Sequence, residues 1–238
     1  PVFGLSALWV SSDRQDEVQE LGLTSVDALS VLVTHVSHVV MRHASELISW
    51  EEVSKLVDGL KKTSPRLVDE TLGSGLTISK LHQILKMLLA EQVPIIDMET
   101  IVETAADHMS SSLESCAESV RVALRRQICS TVSSPNGFGQ QVIHCITLPP
   151  AVEAVMNSNS ASDLQPKTLA TALGHAAQAL VNEGWPPVVV VSSQTARRFL
   201  REVVSQYDPS MIILSQQEIV SEVDLQVVGT IDVASRAS

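Results

Sequence analysis

These 238 residues predict an α+β, multi-subdomain chain: an all-helical middle unit followed by a small α/β domain with a partly parallel sheet. Three observations carry that expectation. Between Asp27 and Cys129 apolar residues recur at intervals of three and four, the helical period. The run Ser133-Ser-Pro-Asn-Gly-Phe-Gly139 is then dense in turn formers. Beyond it, strand-like runs alternate with helical stretches, the pattern of strands joined by crossover helices.

In chain order, Pro1-Val-Phe-Gly-Leu-Ser-Ala-Leu-Trp-Val10 is an extended apolar run without an initiator Met, and reads as part of a longer protein. Phe3 there either plugs a core or lines a docking surface. Asp27 is an N-cap, and Leu29, Leu32, Val33, Val36, Val40, Ala44 and Leu47 form the apolar stripe of an amphipathic helix reaching Ile48. Val31, Thr34 and His38 share a second face beside that stripe. Ser49-Trp-Glu-Glu caps the next helix, which Pro65 ends. A helix over Leu76–Ala90 is broken by Val93-Pro94-Ile95, Asp97 caps another, and a last one runs from about Leu113 to Cys129. After the turn-rich segment, strands are expected at Val142–Leu148, Val188–Val191, Met211–Leu214 and Leu225–Ile231, with helices over 166–183 and 194–206. Val188-Val-Val-Val191 lacks alternation, as a strand buried on both faces should.

Composition bounds the function. The chain has 45% hydrophobic residues, enough for substantial cores, and a net charge of −11 that works against a phosphate backbone. Residues 49–130 could pass for a helix-turn-helix, yet they hold nine Lys or Arg against twelve Asp or Glu, which leaves −3. Arg121, Arg125 and Arg126 near a helix end suit its C-terminal dipole or a protein contact better than DNA. No apolar run reaches the roughly 18 residues that span a bilayer. Cys116, Cys129 and Cys145 are odd in number and widely spaced, which reads as packing rather than disulfides or zinc.

Sites for chemistry are sparse. His35 and His38 lie one turn apart, but no third ligand stands at recognisable spacing, so no metal and no cofactor is expected. The junction Val191-Ser-Ser-Gln-Thr195 could present free N–H groups to an anion, and a small-ligand or hydrolytic α/β domain using Ser192, Ser193 and Thr195 is the rival reading. It lacks both the phosphate-loop and nucleophile-elbow patterns, and the two serines read first as helix caps.

Five segments in order then point to one family: Pro1-Val-Phe-Gly-Leu-Ser-Ala-Leu-Trp, Thr34-His-Val-Ser, Arg42-His-Ala-Ser-Glu-Leu, Leu89-Ala-Glu-Gln-Val-Pro-Ile-Ile-Asp-Met and Val120-Arg-Val-Ala-Leu-Arg-Arg. Over nearly its whole length the chain resembles the C-terminal cytoplasmic part of the flagellar and type III secretion export gates, with the flagellar branch nearer. The resemblance implies that residues 1–27 end one α/β subdomain, 28–48 belong to the first subdomain, 49–130 are an all-helical subdomain and 131–238 a C-terminal α/β subdomain. It implies no enzyme, but a docking platform on the cytoplasmic face of the bacterial inner membrane. That platform forms a homo-oligomeric ring, nonameric by expectation. Its implied partners are flagellar export chaperones carrying substrates and other export apparatus proteins, with no nucleic acid and with membrane contact only through a further N-terminal region. The corresponding gate of a virulence system is the alternative.

In that family chaperones dock in an apolar cleft between the first two subdomains. The matching positions are Phe3 and Thr34, with Leu5, Val26 and Val31 as neighbours. On the residues alone Phe3 and Val31 read as core; the resemblance turns them towards docking, since an aromatic anchor in an apolar groove is what helix recognition needs. The chain departs from the family pattern at Gln92, Ile96 and Glu99, where Gly, Arg and Arg are common, and the two missing positive charges bear on any ring contact made by that turn.

Overall fold

The computed structural model describes residues 7–158 and 165–231. Its helical part is built on local capping. After α1 (Gln15–Glu20), α2 (Ala28–Arg42) starts at Asp27, whose carboxylate accepts from the Ser30 N–H at 2.9 Å. His43 breaks the expected long helix, and a single turn, α3 (Ala44–Leu47), follows it. α4 (Trp50–Thr63) opens with a full capping box: the Glu52 N–H donates to Ser49 Oγ while the Ser49 N–H donates to the Glu52 carboxylate. Pro65 begins α5 (Pro65–Gly73), and Thr77 caps α6 (Ile78–Ala90). Asp97 caps α7 (Met98–Asp107), as its sequence context predicts. The last predicted helix divides at Leu124 into α8 (Leu113–Ala123) and α9 (Arg125–Val132).

The turn leaving α6 departs from ordinary side-chain preference. Gln92 sits at φ 57°, in the left-handed region. Its N–H donates to the Leu89 carbonyl and that of Val93 to the Leu88 carbonyl, which closes the helix by the Schellman pattern. Glycine would occupy this position without steric cost.

The α/β part consists of β1 (Ser134–Pro135), β2 (Gln141–Thr147), α10 (Pro150–Met156), α11 (Pro166–Asn182), β3 (Val188–Val191), α12 (Gln194–Ser205), β4 (Ile212–Ser215) and β5 (Val223–Thr230). β2, β3 and β4 run parallel in that order, β5 lies parallel on the other side of β2, and β1 adds a short antiparallel pair. α10 and β1 are absent from the sequence reading. β1 is too short to show alternation, and α10 has barely two turns.

Both faces of the sheet are covered at β2, β3 and β4, whereas β5 is largely exposed. Ile143, Cys145, Val188, Val190 and Leu214 join the helical core of Val57, Leu81, Leu85, Ile101, Val120 and Ile128. Ile146, Val189, Val191 and Ile213 face the other way, against Leu169, Leu173, Leu180, Leu200 and Val204. The helical unit therefore packs directly on one face of the sheet. All four residues of β3 are buried, as its unbroken valines predict. The three cysteines are buried free thiols, and burial pushes Cys145 up to about 11, so it stays protonated and acts as packing.

Where α6 and α8 meet α12 and β4, six charged side chains of low exposure converge. Arg197 reaches Glu91 at 2.6 Å and also binds the Glu118 carboxylate, and Arg121 pairs with Glu218 at 2.6 Å and Glu91 at 3.3 Å. Arg201 completes the set, 3.9 Å from Glu91, with a guanidinium N–H donating to the Ala90 carbonyl at 2.8 Å. Three arginines balance three glutamates. Burial alone would raise the Glu91 pKa, but Arg121, Arg197 and Arg201 outweigh it and hold the carboxyl below its ordinary 4.5.

Two outcomes follow from these features. Gln92→Gly relieves the left-handed φ and should stabilise the fold by about 0.5–1 kcal/mol, a rise in Tm of roughly 1–3 °C in a thermal melt. Because the folded pKa of Glu91 lies below its unfolded value, its contribution is complete above the ordinary 4.5 and is lost as pH falls below it. Urea unfolding followed from pH 7 down to about pH 2 should show that decline below about 4.5, and Glu91→Gln should flatten it while lowering stability at pH 7 by about 3 kcal/mol.

Candidate docking surface

Helix α2 has no buried residue. Leu29, Leu32, Val33, Val36 and Val40, the stripe expected to pack into a core, are 48–68% exposed. The helix forms where its cap and periodicity place it, but no described element covers that face. Its half-buried positions are Val31 and His38, on the neighbouring face. α2 is held to the rest of the chain through α3, and just beyond α3 the Ile48 side chain packs on the helical core while its carbonyl lies 3.1 Å from His82 Nε2.

Of the residues expected to dock a partner, Val26 is exposed just before the Asp27 cap, Val31 lies in the first turn, and Thr34 is exposed one turn later. The Thr34 hydroxyl donates to the Ser30 carbonyl at 2.7 Å, so its proton is spent within the helix and its methyl and oxygen remain for contact. The spacing from 31 to 34 sets these two side chains one turn apart. Phe3 and Leu5 lie outside the described residues.

The rival anion site has a different occupant. Glu153 of α10 accepts from the Ser192 N–H at 3.0 Å and from its hydroxyl, so a carboxylate already stands at the start of α12. The Ser193 hydroxyl caps α12 by accepting from the Ala196 N–H at 3.1 Å and donates to Asn157 at 2.6 Å. An incoming anion would meet Glu153 first. Among the described residues, no group of three or more His, Cys, Asp or Glu could hold a metal, and no helix is long and apolar enough to cross a membrane.

Sequence reasoning missed the six-charge cluster. A signal for it existed: Arg121 sits in the helical row Ala117, Arg121, Leu124, Ile128, and Arg197 in the row Arg197, Leu200, Val204, so each interrupts an apolar stripe. A charge in such a row needs a buried partner. Which acids supply it is not encoded locally, since the nearest contacts of Arg197 lie 79 and 106 positions away. Of the Arg trio expected near a helix end, Arg121 is buried here and Arg126 pairs with Glu222 at 3.0 Å.

Comparison with known proteins agrees with the fold and with the resemblance. The FHIPEP family model matches residues 1–224. The flagellar biosynthesis protein FlhA of Yersinia enterocolitica is 33% identical over 98% of this chain, which spans only 34% of that relative. The Chlamydia pneumoniae CdsV protein superposes with a TM-score of 0.78 at 25% identity, covering 96% of this chain and 67% of that one. The nonameric EscV cytosolic domain from the type III secretion system shares the fold, with a TM-score of 0.64 at 24% identity over 93% of this chain and 67% of that one. The chain thus spans about a third of the curated relative's length, and it belongs to the FHIPEP family.

Proposed function

We propose that this chain is the C-terminal cytoplasmic part of a flagellar type III export gate, acting without catalysis as a docking platform for chaperone–substrate complexes. The observation that supports it most directly is the uncovered apolar face of α2, with Val26, Val31 and Thr34 at its start. An apolar helix face in water is unfavourable by about 25 cal/mol for each Å² left exposed, so a cover is expected in the assembled protein. In this reading the stripe Leu29 to Val40 packs on further parts of the cytoplasmic domain. The adjoining Val31 and Thr34 then form one wall of a cleft, and the resemblance adds Phe3 and Leu5 to the residues that meet the partner. The division of the chain at 28, 49 and 131 into subdomains belongs to the same proposal.

Ring formation extends this reading. The EscV cytosolic domain is nonameric, and the shared fold supports a nine-membered ring for the protein containing this chain, set beneath the inner membrane. The flagellar branch is preferred over a virulence gate because curated FlhA relatives reach 33% identity over nearly all of this chain.

The test is calorimetric titration of the whole cytoplasmic region with a purified flagellar chaperone–substrate complex. Phe3→Ala should weaken binding by roughly 30-fold, the loss of an anchor worth about 2 kcal/mol, with an unchanged circular dichroism spectrum. Equal affinity in the folded variant sinks the docking role of Phe3. Thr34→Asp, which sets a charge in the cleft wall, should weaken binding by a similar factor, and native mass spectrometry of the same sample should report nine subunits.

A further inference from the structure

The apolar contact between the helical unit and the sheet is broad and without direction. Val188, Val190, Leu214, Ile143 and Cys145 meet helical residues through methyl and thiol groups that tolerate rotation and sliding. The charge cluster at its margin has the opposite character. Every group in it is held by partners at fixed positions on another element: Glu118 and Arg121 on α8, Glu91 at the end of α6, Arg197 and Arg201 on α12, and Glu218 after β4. The guanidinium of Arg197 is planar and addresses two carboxylates at once, Glu118 with Nε and Nη2 and Glu91 with Nη1 and Nη2. Such a fork satisfies its donors in one relative placement of α6, α8 and α12 and in few others.

A buried ion pair seldom stabilises a fold more than well-packed apolar side chains of the same volume would, because taking both charges out of water offsets their attraction. The cluster also lies where the helical and α/β units meet, joining residues 79 to 106 positions apart. We infer that the Arg197–Glu118 pair, anchored on Glu91, is an orientation lock: it selects one setting of the α/β unit on the helical unit, while the apolar face supplies the adhesion. Its removal as a neutral pair frees the setting without unfolding either unit.

The experiment uses the whole chain with spin labels at Lys62→Cys and Ala179→Cys, exposed positions on α4 and α11; the three native cysteines are buried. The distance between labels is read by pulsed electron resonance alongside thermal melts. Arg197→Met alone strands Glu118 without its arginine and leaves two arginines against three glutamates, and its Tm should fall by about 10 °C. Arg197→Met/Glu118→Met leaves two arginines facing two glutamates. This double variant should recover at least half of that loss, yet broaden the label-to-label distribution roughly twofold. A double variant as stable as expected but with the parent's narrow distribution overturns the lock. So does one that melts as low as Arg197→Met, since the pair would then be a plain stability element. If Arg197→Met does not fold, the double variant is judged against the parent by the same two readings.

Discussion

A sheet packed on both faces still ends at an edge, and at β4 that edge is closed by charge. Three groups on its open side find partners in or beside the Arg–Glu cluster. The Met211 carbonyl accepts from Arg201 at 3.1 Å, the Ile213 carbonyl accepts from Arg121 at 3.5 Å, and the Ser215 N–H donates to Glu218 at 2.7 Å. Without those partners the strand would present unpaired backbone groups, the usual template for unwanted pairing. The arginines and glutamates in turn are tolerable at low exposure only because each is paired and the sum is neutral. Helix α8, helix α12 and strand β4 therefore depend on one another for polar satisfaction.

The opposite side of the molecule is built differently. β5 is the other edge strand, and Leu225, Val227 and Val228 on it are partly exposed, with a register shift near Cys145 that twists the pairing. α2 exposes an entire apolar stripe. The β4 edge of the sheet is thus closed by ion pairs, while β5 and, in the helical part, α2 present apolar surface. For a chain that spans about a third of its curated relative, this asymmetry fits a body that meets the rest of a larger domain on one side.

The α6–α7 turn shows how local strain and family pattern meet. Gln92 adopts the left-handed conformation because the Schellman closure of α6 and the burial of Val93 require it, whatever side chain is present. Ile96, four residues on, is almost fully solvent-exposed, and Glu99 accepts from the Ser64 hydroxyl at 3.1 Å. The turn's backbone is fixed by these hydrogen bonds, while Ile96 and Glu99 set its surface chemistry. Backbone geometry at helix ends is set by hydrogen bonding that tolerates several side chains.

Much of the fold was legible in the residues themselves. Ser49, Asp97 and Asp27 place helix starts because a side-chain oxygen beside free N–H groups acts within three residues. Val188 to Val191 declare a strand covered on both sides because an unbroken apolar run at that length has no other stable home. The α2 stripe places its helix by periodicity in the same way. Periodicity reports only that a face prefers to be covered; it carries no information about what covers it. Phe3 and Leu5 lie outside the described residues, so their part in the cleft rests on the resemblance. The charge cluster marks the boundary most sharply. Arg121 and Arg197 announce, by interrupting apolar rows, that buried partners must exist, because desolvating a lone charge is too costly to persist. Local sequence thus determined helices, strands and the need for partners, through interactions spanning a few residues. Only the tertiary structure decided that Glu91, Glu118 and Glu218 meet those arginines, since pairing across such separations is set by how whole elements pack.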